Sequence, residues 1–530
     1  MDNESRPLVN LTIDDTEVSV PKGSTILEAA ERIGVVIPRY CYHPGLSRPA
    51  ICRMCLVEVK GAPKPLPSCV QEVQDGMVVR TDNADARKAR RAAIEFLLVN
   101  HPLDCPICDA AGQCELQDYA FETGQLRTRN VEPKAVLGRD HLTSSIVYFA
   151  DRCVLCTRCV RFMDEIAEEP VLQVINRGHK GFIDTMTDQL FEHPFSRNIV
   201  DVCPVGALVD EGFLFKPRSW DFDQTASVCP GCSQGCNVVL GAKENTILRA
   251  KPRFNPEVNS YWMCDHGRQT VVNWGAGERI EVPLVREGDR LIPVDWPRAL
   301  DALVEGLSGR PGGARAIVSA GSSNESLYAV RKLMDVVGFE GGRFRVSTGP
   351  EHELKGFPSL KLRKERAPNA RGAELLGFER AEDVFGAAGD HRGALFILEE
   401  ALDGAPQDFG QRAALFVYIG SSLNATARDA ADIVIPSPTF AEAEGTFTNY
   451  EGRVQRFAQA LRAPGLTRPI WMSASAVLAR LDAGEVIGSA GAAFAALAGE
   501  YGEYAGLSYG EIGQNGALVA SATLKATAAP

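Results

Sequence analysis

The sequence predicts a multidomain chain, α+β in its front half and α/β in its back half, and three observations carry that expectation. All 15 cysteines lie between Cys41 and Cys264, mostly in short CxxC runs. Around the first of them, period-two alternation and one helical stripe mark a small unit of sheet and helix. Beyond residue 280, apolar strands alternate with amphipathic helices, the pattern of a largely parallel sheet.

The elements follow in order. LVNLTIDDTEVSV, residues 8–20, alternates apolar and polar residues around Asp14-Asp15 and predicts a β-hairpin. In PKGSTILEAAERIGVVIP, Ser24 is the expected N-cap, Ile26, Leu27, Ala30 and Ile33 form one face, and Gly34 is the expected C-cap. MCLVEVKG and MVVRTD predict two more strands, which gives a mixed unit of the β-grasp kind. DARKARRAAIEFLLVN is a basic amphipathic helix that ends at His101-Pro102, where proline disfavours further helix. Residues 126–145 are expected to be a polar connector. In the back half, ARAIVSAG, ALFILEE, ALFVYIG and ADIVIPSP are strand patterns, and SNESLYAVRKLMDVVG is a capped helix.

Composition narrows the function. The chain has 530 residues, 45% hydrophobic and 23% charged, with a net charge of -12. An acidic balance opposes a nucleic-acid surface. No stretch reaches the ~18 apolar residues of a membrane span, and MDNESRPLVN lacks a secretory h-region. The expected location is cytoplasmic or peripheral to a membrane. An odd number of cysteines grouped in CxxC pairs points to metal rather than to disulfides.

The cysteines fall into four sets. Cys41, Cys52, Cys55 and Cys69 are spaced C-x10-C-x2-C-x13-C in a Pro/Gly-rich loop, which can turn backbone N–H groups toward cluster sulfurs. Structural zinc is the alternative there, and His43 is read as a surface or supporting residue. His101, Cys105, Cys108 and Cys114 offer three thiols and one imidazole. Zinc on the same four donors and a helix-capping role for His101 are the alternatives. Cys153, Cys156 and Cys159 followed by a distant Cys203-Pro204 form the bacterial ferredoxin arrangement. Met163 stands where a two-cluster ferredoxin has another cysteine, so this module holds one cubane. The fourth set is Cys229, Cys232, Cys236 and Cys264. Four, three, four and four cysteines use the whole complement, which favours His101 as the sixteenth ligand. Arg53, Arg152, Arg158 and Arg161 flank these sets, either offsetting cluster charge or serving as ordinary surface residues.

In this order, the motifs resemble those of the large iron–sulfur subunit of respiratory complex I. The resemblance covers residues 8–275 and continues more loosely through ADIVIPSPTFAEAEGTFTNYEGRVQ, Ala431 to Gln455, which is similar to molybdopterin oxidoreductases. It implies a [2Fe-2S] cluster on the first set and a [4Fe-4S] cluster on each of the other three. Electrons would pass from a flavin-bearing NADH-oxidising subunit through the first, third and second sets toward quinone, with the Cys229 cluster off that route. The implied division is 8–85, a β-grasp [2Fe-2S] ferredoxin-type domain; 86–125, a [4Fe-4S] domain with one histidine and three cysteine ligands; 126–218, a ferredoxin-like [4Fe-4S] module; and 222–278, a molybdopterin-oxidoreductase-type [4Fe-4S] domain. A shortened molybdopterin-oxidoreductase-like α/β region, 279–515, and a flexible tail, 516–530, complete it.

The chain is therefore expected to be an electron-conducting subunit of a proton-translocating NADH:quinone oxidoreductase, with no substrate site, no catalytic residue and no molybdopterin of its own. Implied partners are the NADH/FMN flavoprotein, a small [2Fe-2S] subunit, a two-cluster ferredoxin-like subunit and the quinone-arm subunits, with membrane contact only through the complex, on the cytoplasmic side. The competing readings are an NAD-linked molybdenum or tungsten formate dehydrogenase, an iron-only hydrogenase and a structural zinc protein. The first two commonly need cysteines downstream, and none follows Cys264. Gly321 and Gly420 follow strands and could mark phosphate loops, but neither matches a known fingerprint and an ordinary turn is the preferred reading.

Overall fold

The computed structural model describes residues 6–124, 127–187, 189–275, 277–309 and 312–520. It divides into two compact units: residues 1–222 with Leu354–Pro358, and residues 223–353 with 359–530.

The first unit opens with the expected hairpin, Leu8–Ile13 against Thr16–Pro21, paired from Leu8↔Pro21 to Ile13↔Thr16. Asp14 and Asp15 both take positive φ, as a tight turn of this hand requires. Met77–Arg80 joins Leu8–Ile13 in parallel, and Leu56–Val59 and Leu66–Pro67 complete a five-stranded sheet. Helix Ile26–Arg32 packs its Ile26, Leu27, Ala29 and Ala30 onto that sheet's Leu11, Ile13, Val20 and Val57. Its N-cap is Thr25, not Ser24. The Thr25 hydroxyl accepts from the Glu28 N–H at 3.3 Å while the Glu28 carboxylate accepts from the Thr25 N–H at 2.8 Å. This reciprocal box satisfies two end donors, and a cap at Ser24 would miss it.

Helix Ala84–Asn100 is capped by Asn83, whose side chain accepts from the Ala86 N–H. Glu115–Glu122 forms a shorter helix starting at Cys114. The connector expected over 126–145 is not wholly irregular: Arg139–Thr143 pairs with Ile146–Phe149, which also pairs with Leu208–Asp210. The short helix Arg158–Arg161 widens into a π-turn over Phe162–Ile166.

The second unit begins with a three-stranded antiparallel sheet, Asp223–Val228, Asn237–Lys243 and Thr246–Pro252, followed by helix Asp265–Asn273. The unit also contains an eight-stranded sheet whose central strands, Ala314–Val318, Ala394–Leu398, Leu415–Gly420 and Ile433–Pro436, are parallel. Successive residues enter opposite cores. Phe396 and Leu398 join the layer with helices Trp296–Ser308, Asn324–Val337 and Ile470–Arg480, while Leu395 and Ile397 join the layer with Phe409 and Phe416. Burial on both faces explains the unbroken apolar runs in the sequence. The tail expected to be flexible from residue 516 instead supplies Ala517–Leu518 as a third strand beside Arg453–Phe457, while 521–530 lie outside the described residues.

The helix Asn324–Val337 is tied to strand Gly445–Thr448 by buried polar groups. The Glu325 carboxylate accepts from the Thr446 N–H and hydroxyl, both at 2.9 Å, and from the Tyr509 hydroxyl at 3.0 Å. Burial pushes the Glu325 carboxyl up from 4.5 to about 7, because desolvation outweighs those donors. The folded state therefore holds this proton more tightly than the unfolded chain. The resulting stability is fully present below about pH 4.5 and is lost as pH rises through about 7. Across that window Glu325→Gln should flatten the pH dependence of the unfolding midpoint, followed by the fluorescence of Trp262, Trp274, Trp296 and Trp471 in this unit. Equal slopes for variant and parent would remove Glu325 as the source.

Candidate metal centres

Of the 15 cysteines, 14 are buried or half-buried and Cys105 alone is exposed. In the first set the thiols fall into two pairs. Cys41 Sγ lies 3.4 Å from Cys52 Sγ, and the Cys55 and Cys69 thiols are hydrogen-bonded to each other. The loop bends through positive φ at Ala50 and Arg53, and the Tyr40 N–H points at Cys52 Sγ at 3.5 Å. The hydrogen bond from Cys41 pulls the Cys52 thiol down, with help from the Met54 and Tyr40 N–H groups, against the effect of burial. His43 is half-buried, and its Nδ1 accepts from the Gly45 N–H at 3.1 Å, so it shapes the loop.

His101 is the capping residue at the end of helix Ala84–Asn100. The carbonyls of that end are served from elsewhere: Lys134 Nζ donates to Leu98 O at 2.7 Å and to Val99 O at 3.0 Å. Lys134 thus fills with its side chain the capping role considered for His101. Burial, aided by the Lys134 and Arg152 charges, pushes the His101 imidazole down to about 4, so it is neutral at physiological pH, as a ligand nitrogen must be. His43 is lowered to about 4 for the same first reason, so neutrality alone does not single out His101.

The loop Cys105–Cys108 is clamped from the neighbouring module. Arg218 donates to the carbonyls of Cys105, Pro106 and Cys108, Ser219 Oγ donates to Ala111 O, and Trp220 lies against Gly112. Arg152, buried, donates to the Asp104 carboxylate from Nε at 3.0 Å and Nη2 at 2.9 Å. Gly206 presses on Cys108 so closely that a Cβ there would overlap its Sγ. None of these partners is visible from spacing, because each lies far along the chain from the loop it holds.

In the third set all four thiols, Cys153, Cys156, Cys159 and Cys203, line one cavity of about 330 Å³ with Tyr148, Ile183 and Leu208. Leu155 and Thr157 take positive φ, so the CVLCTRC loop turns its amides inward, and the Leu155 N–H reaches Cys153 Sγ at 3.4 Å. The N–H groups of Val205, Leu208 and Ala207 face the Cys203 thiol and oppose the upward push of its burial.

In the fourth set all four cysteines, Cys229, Cys232, Cys236 and Cys264, are buried, at 4–5% exposure. Burial raises all four thiols, Cys229 to about 12. Gly231 N–H reaches Cys229 Sγ at 3.5 Å, and Gly267 N–H reaches Cys264 Sγ at 3.3 Å. A Cβ on Gly267 would stand 2.9 Å from Cys229 Sγ and 3.4 Å from Cys264 Sγ. Only glycine lets this backbone approach both sulfurs. Thiol groups, amide donors and glycine cradles of this kind fit a cluster, whose sulfur is tuned by such N–H contacts. Among the described residues no three His, Cys, Asp or Glu side chains converge as for a single ion.

Of the flanking arginines, Arg53 is exposed, whereas Arg152, Arg158 and Arg161 are 3%, 6% and 9% exposed and are not surface residues. Gly321 lines a cavity of about 390 Å³ together with Glu399, Thr439 and Trp471. A carboxyl group in that wall is unsuited to phosphate. A Cβ on Gly420 would stand 2.8 Å from the Tyr418 ring, so close packing against that ring accounts for the glycine.

Comparison with known proteins places each set within a matching family model. Residues 6–84 match a 2Fe-2S iron-sulfur cluster binding domain. Residues 90–129 match the NADH-ubiquinone oxidoreductase-G iron-sulfur binding region, and 144–209 the ferredoxin-like domain of NADH-quinone oxidoreductase subunit 3. Residues 223–271 match the molybdopterin oxidoreductase Fe4S4 domain, and 387–480 molybdopterin oxidoreductase. The chain is 39% identical over 333 residues to the G subunit of NADH-quinone oxidoreductase from Mycobacterium tuberculosis, covering 62% of this chain and 41% of that one. It is 36% identical over 332 residues to the protein of that name in Rickettsia felis, covering 62% and 49%. It is 38% identical over 329 residues to the NADH-ubiquinone oxidoreductase 75 kDa subunit of Reclinomonas americana, covering 62% and 46%. The chain thus spans under half the length of these relatives. Its fold is mixed α/β and carries both 2Fe-2S and 4Fe-4S binding domains.

Gly206 offers a direct check on the second set. Were each of the four sets to hold a cluster, Gly206→Ala should displace Cys108 and abolish the spectroscopic signal of that site while leaving those of the other three. An intact fourfold spectrum in the variant would mean that Cys108 is not held where the structure has it.

Proposed function

We propose, for a chain whose iron–sulfur domains match those of the G subunit of NADH-quinone oxidoreductase, that it conducts electrons within an NADH:quinone oxidoreductase and carries out no substrate chemistry itself. The observation that carries this reading is that three cysteine sets lie in one compact unit, with groups beside the third set hydrogen-bonded to groups beside the first and the second. Clusters bound there would supply one-electron acceptor and donor states. Cys41, Cys52, Cys55 and Cys69 would hold a [2Fe-2S] cluster, with the Cys41/Cys52 and Cys55/Cys69 pairs each serving one iron. His101 with Cys105, Cys108 and Cys114, Cys153 with Cys156, Cys159 and Cys203, and Cys229 with Cys232, Cys236 and Cys264 would each hold a [4Fe-4S] cluster.

The protein's own residues exclude water, aim amides at sulfur and keep the sites apart. The partners under this reading are the flavoprotein, the small [2Fe-2S] subunit, the two-cluster ferredoxin-like subunit and the quinone-facing subunits, on the cytoplasmic side of the membrane. No helix of the described residues is long and apolar enough to cross a membrane, so attachment would run through those partners. The formate dehydrogenase reading is not favoured: the named relatives are complex I subunits, and no cysteine follows Cys264.

Metal analysis of anaerobically purified protein tests the whole assignment. One two-iron and three four-iron clusters amount to about 14 irons per chain with matching acid-labile sulfide; stoichiometric zinc or molybdenum would overturn it. His101→Cys should retain a four-iron signal and lower its midpoint potential, because a thiolate adds negative charge where the imidazole is neutral. An unchanged potential would remove His101 from the ligand set.

A further inference from the structure

The short helix Arg158–Arg161 contains Cys159 of the third set, and its two arginines point in different directions. Arg161 Nη2 donates to Cys41 O at 2.5 Å and to Cys156 O at 3.4 Å, so one guanidinium joins a ligand residue of the first set to one of the third. Its Nη1 donates to Ser47 O, inside the loop between Cys41 and Cys52. The same turn returns a second contact, since the Glu165 carboxylate accepts from the Ser47 N–H at 2.8 Å and from its hydroxyl.

Arg158 faces the other way. Its Nη1 donates to Val202 O at 3.1 Å, beside Cys203 of the third set, and its fork meets the Glu115 carboxylate at 3.3–3.5 Å, beside Cys114 of the second. The Glu115 N–H itself donates to Pro204 O at 3.1 Å. Cys114 and Cys203 are thereby joined through three peptide units and a single hydrogen bond.

We infer that Arg161 and Arg158 are positioning residues for electron passage, Arg161 fixing the third site against the first and Arg158 fixing it against the second. The inference rests on the cluster assignment proposed above. Arginine suits the task because its planar fork can bond two acceptors at once and stays charged when buried. Lysine keeps the charge but presents a point donor on a flexible stem and cannot reproduce the bridge. A fixed positive charge beside two clusters also favours the reduced state of both.

The test uses the full chain, reconstituted anaerobically with ferrous iron and sulfide. The readouts are the midpoint potential of each cluster and the magnetic coupling between neighbouring reduced clusters. Arg161→Gln should lower the potentials of the first and third clusters, and Arg158→Gln those of the second and third. The expected size is about a tenfold change in the one-electron exchange equilibrium, or about 59 mV. The Cys229 cluster, in the other unit, should not move and serves as the internal reference. Unchanged potentials, or one common shift at all four clusters, would overturn the inference.

If a glutamine variant does not take up its clusters, Arg161→Lys and Arg158→Lys decide the matter. These should hold the potentials close to the parent's while weakening the coupling across the one junction that each arginine bridges. Coupling identical to the parent's would overturn the positioning role. A parent chain that takes up no clusters on the first three sets would defeat the ligand assignment itself, a result distinct from the others, and the inference would fall with it.

Discussion

Sulfur donors crowded together out of water set the terms for the rest of this molecule. A buried thiolate is costly to desolvate, and several side by side also repel one another. The thiols of the Cys229 set show the consequence: Cys229, Cys236 and Cys264 are pushed upward first by burial and then by neighbouring thiols, and Cys232 by burial. Without metal they stand as neutral thiols, so binding a cluster must release those protons, and the binding energy then becomes folding energy. Regular helix or strand cannot surround such a group, because its amides are already committed to its own ladder. The loops at Ala50–Arg53 and Leu155–Thr157 instead adopt left-handed residues, which free their N–H groups to face sulfur.

Loops of this kind lack a ladder to hold them to one another, and side chains take over. In the first unit the same solution recurs three times, an arginine from the third module reaching a group next to a ligand elsewhere. Arg152 meets Asp104 beside Cys105, Arg158 meets Glu115 beside Cys114, and Arg161 meets the carbonyl of Cys41 itself. Each is nearly inaccessible, and a buried guanidinium is costly unless it is paired; the Nη groups of Arg158 are bonded to Glu115 and to Val202 O, while its buried Nε has no partner. Arg152 adds a second support, its guanidinium lying 4.0 Å from the centre of the Phe149 ring. The third module is thus the hub of the unit, and the hub is built from charge held against backbone rather than from apolar packing alone.

What could be read from the sequence follows from how far apart the interacting residues stand. The hairpin at Asp14-Asp15, the helix Ala84–Asn100 and the four parallel strands of the back half are local or periodic patterns, and all of them form. The presence of 2Fe-2S and 4Fe-4S binding domains was legible because such domains draw on short fixed spacings of cysteine. Thr25 was missed as a cap because two adjacent hydroxyl residues compete, and only the answering carboxylate of Glu28 decides between them. Lys134 on the end of the His101 helix, Arg218 over the CPIC loop and the pairing of Ala517 with Val454 carry no local signature. The burial of Arg152, Arg158 and Arg161 was likewise invisible, since nothing in a basic residue's immediate neighbours tells a bridge from a surface charge.

In the back half, acidic side chains stand beside a cavity at the carboxyl ends of the parallel strands. In open α/β sheets the crevice beyond the carboxyl ends of the strands is where ligands bind. Here Glu399 stands at that edge, immediately after strand Ala394–Leu398, with its carboxyl group bonded by Ser322 Oγ at 2.6 Å and Ser437 Oγ at 3.0 Å. A second carboxylate, Glu442, is fixed nearby by Arg279 at 2.6–2.7 Å. An anionic cofactor entering this edge would meet acidic groups whose hydroxyl and guanidinium partners are already engaged, and displacing those partners would leave the acids buried and unpaired. The apolar layers on both faces of the sheet need no such ligand to be stable. The same half also encloses the Cys229 set, where Gln455 donates to Gly235 O at 2.8 Å and Asn449 to Gln234 O at 3.3 Å, inside the CSQGC loop.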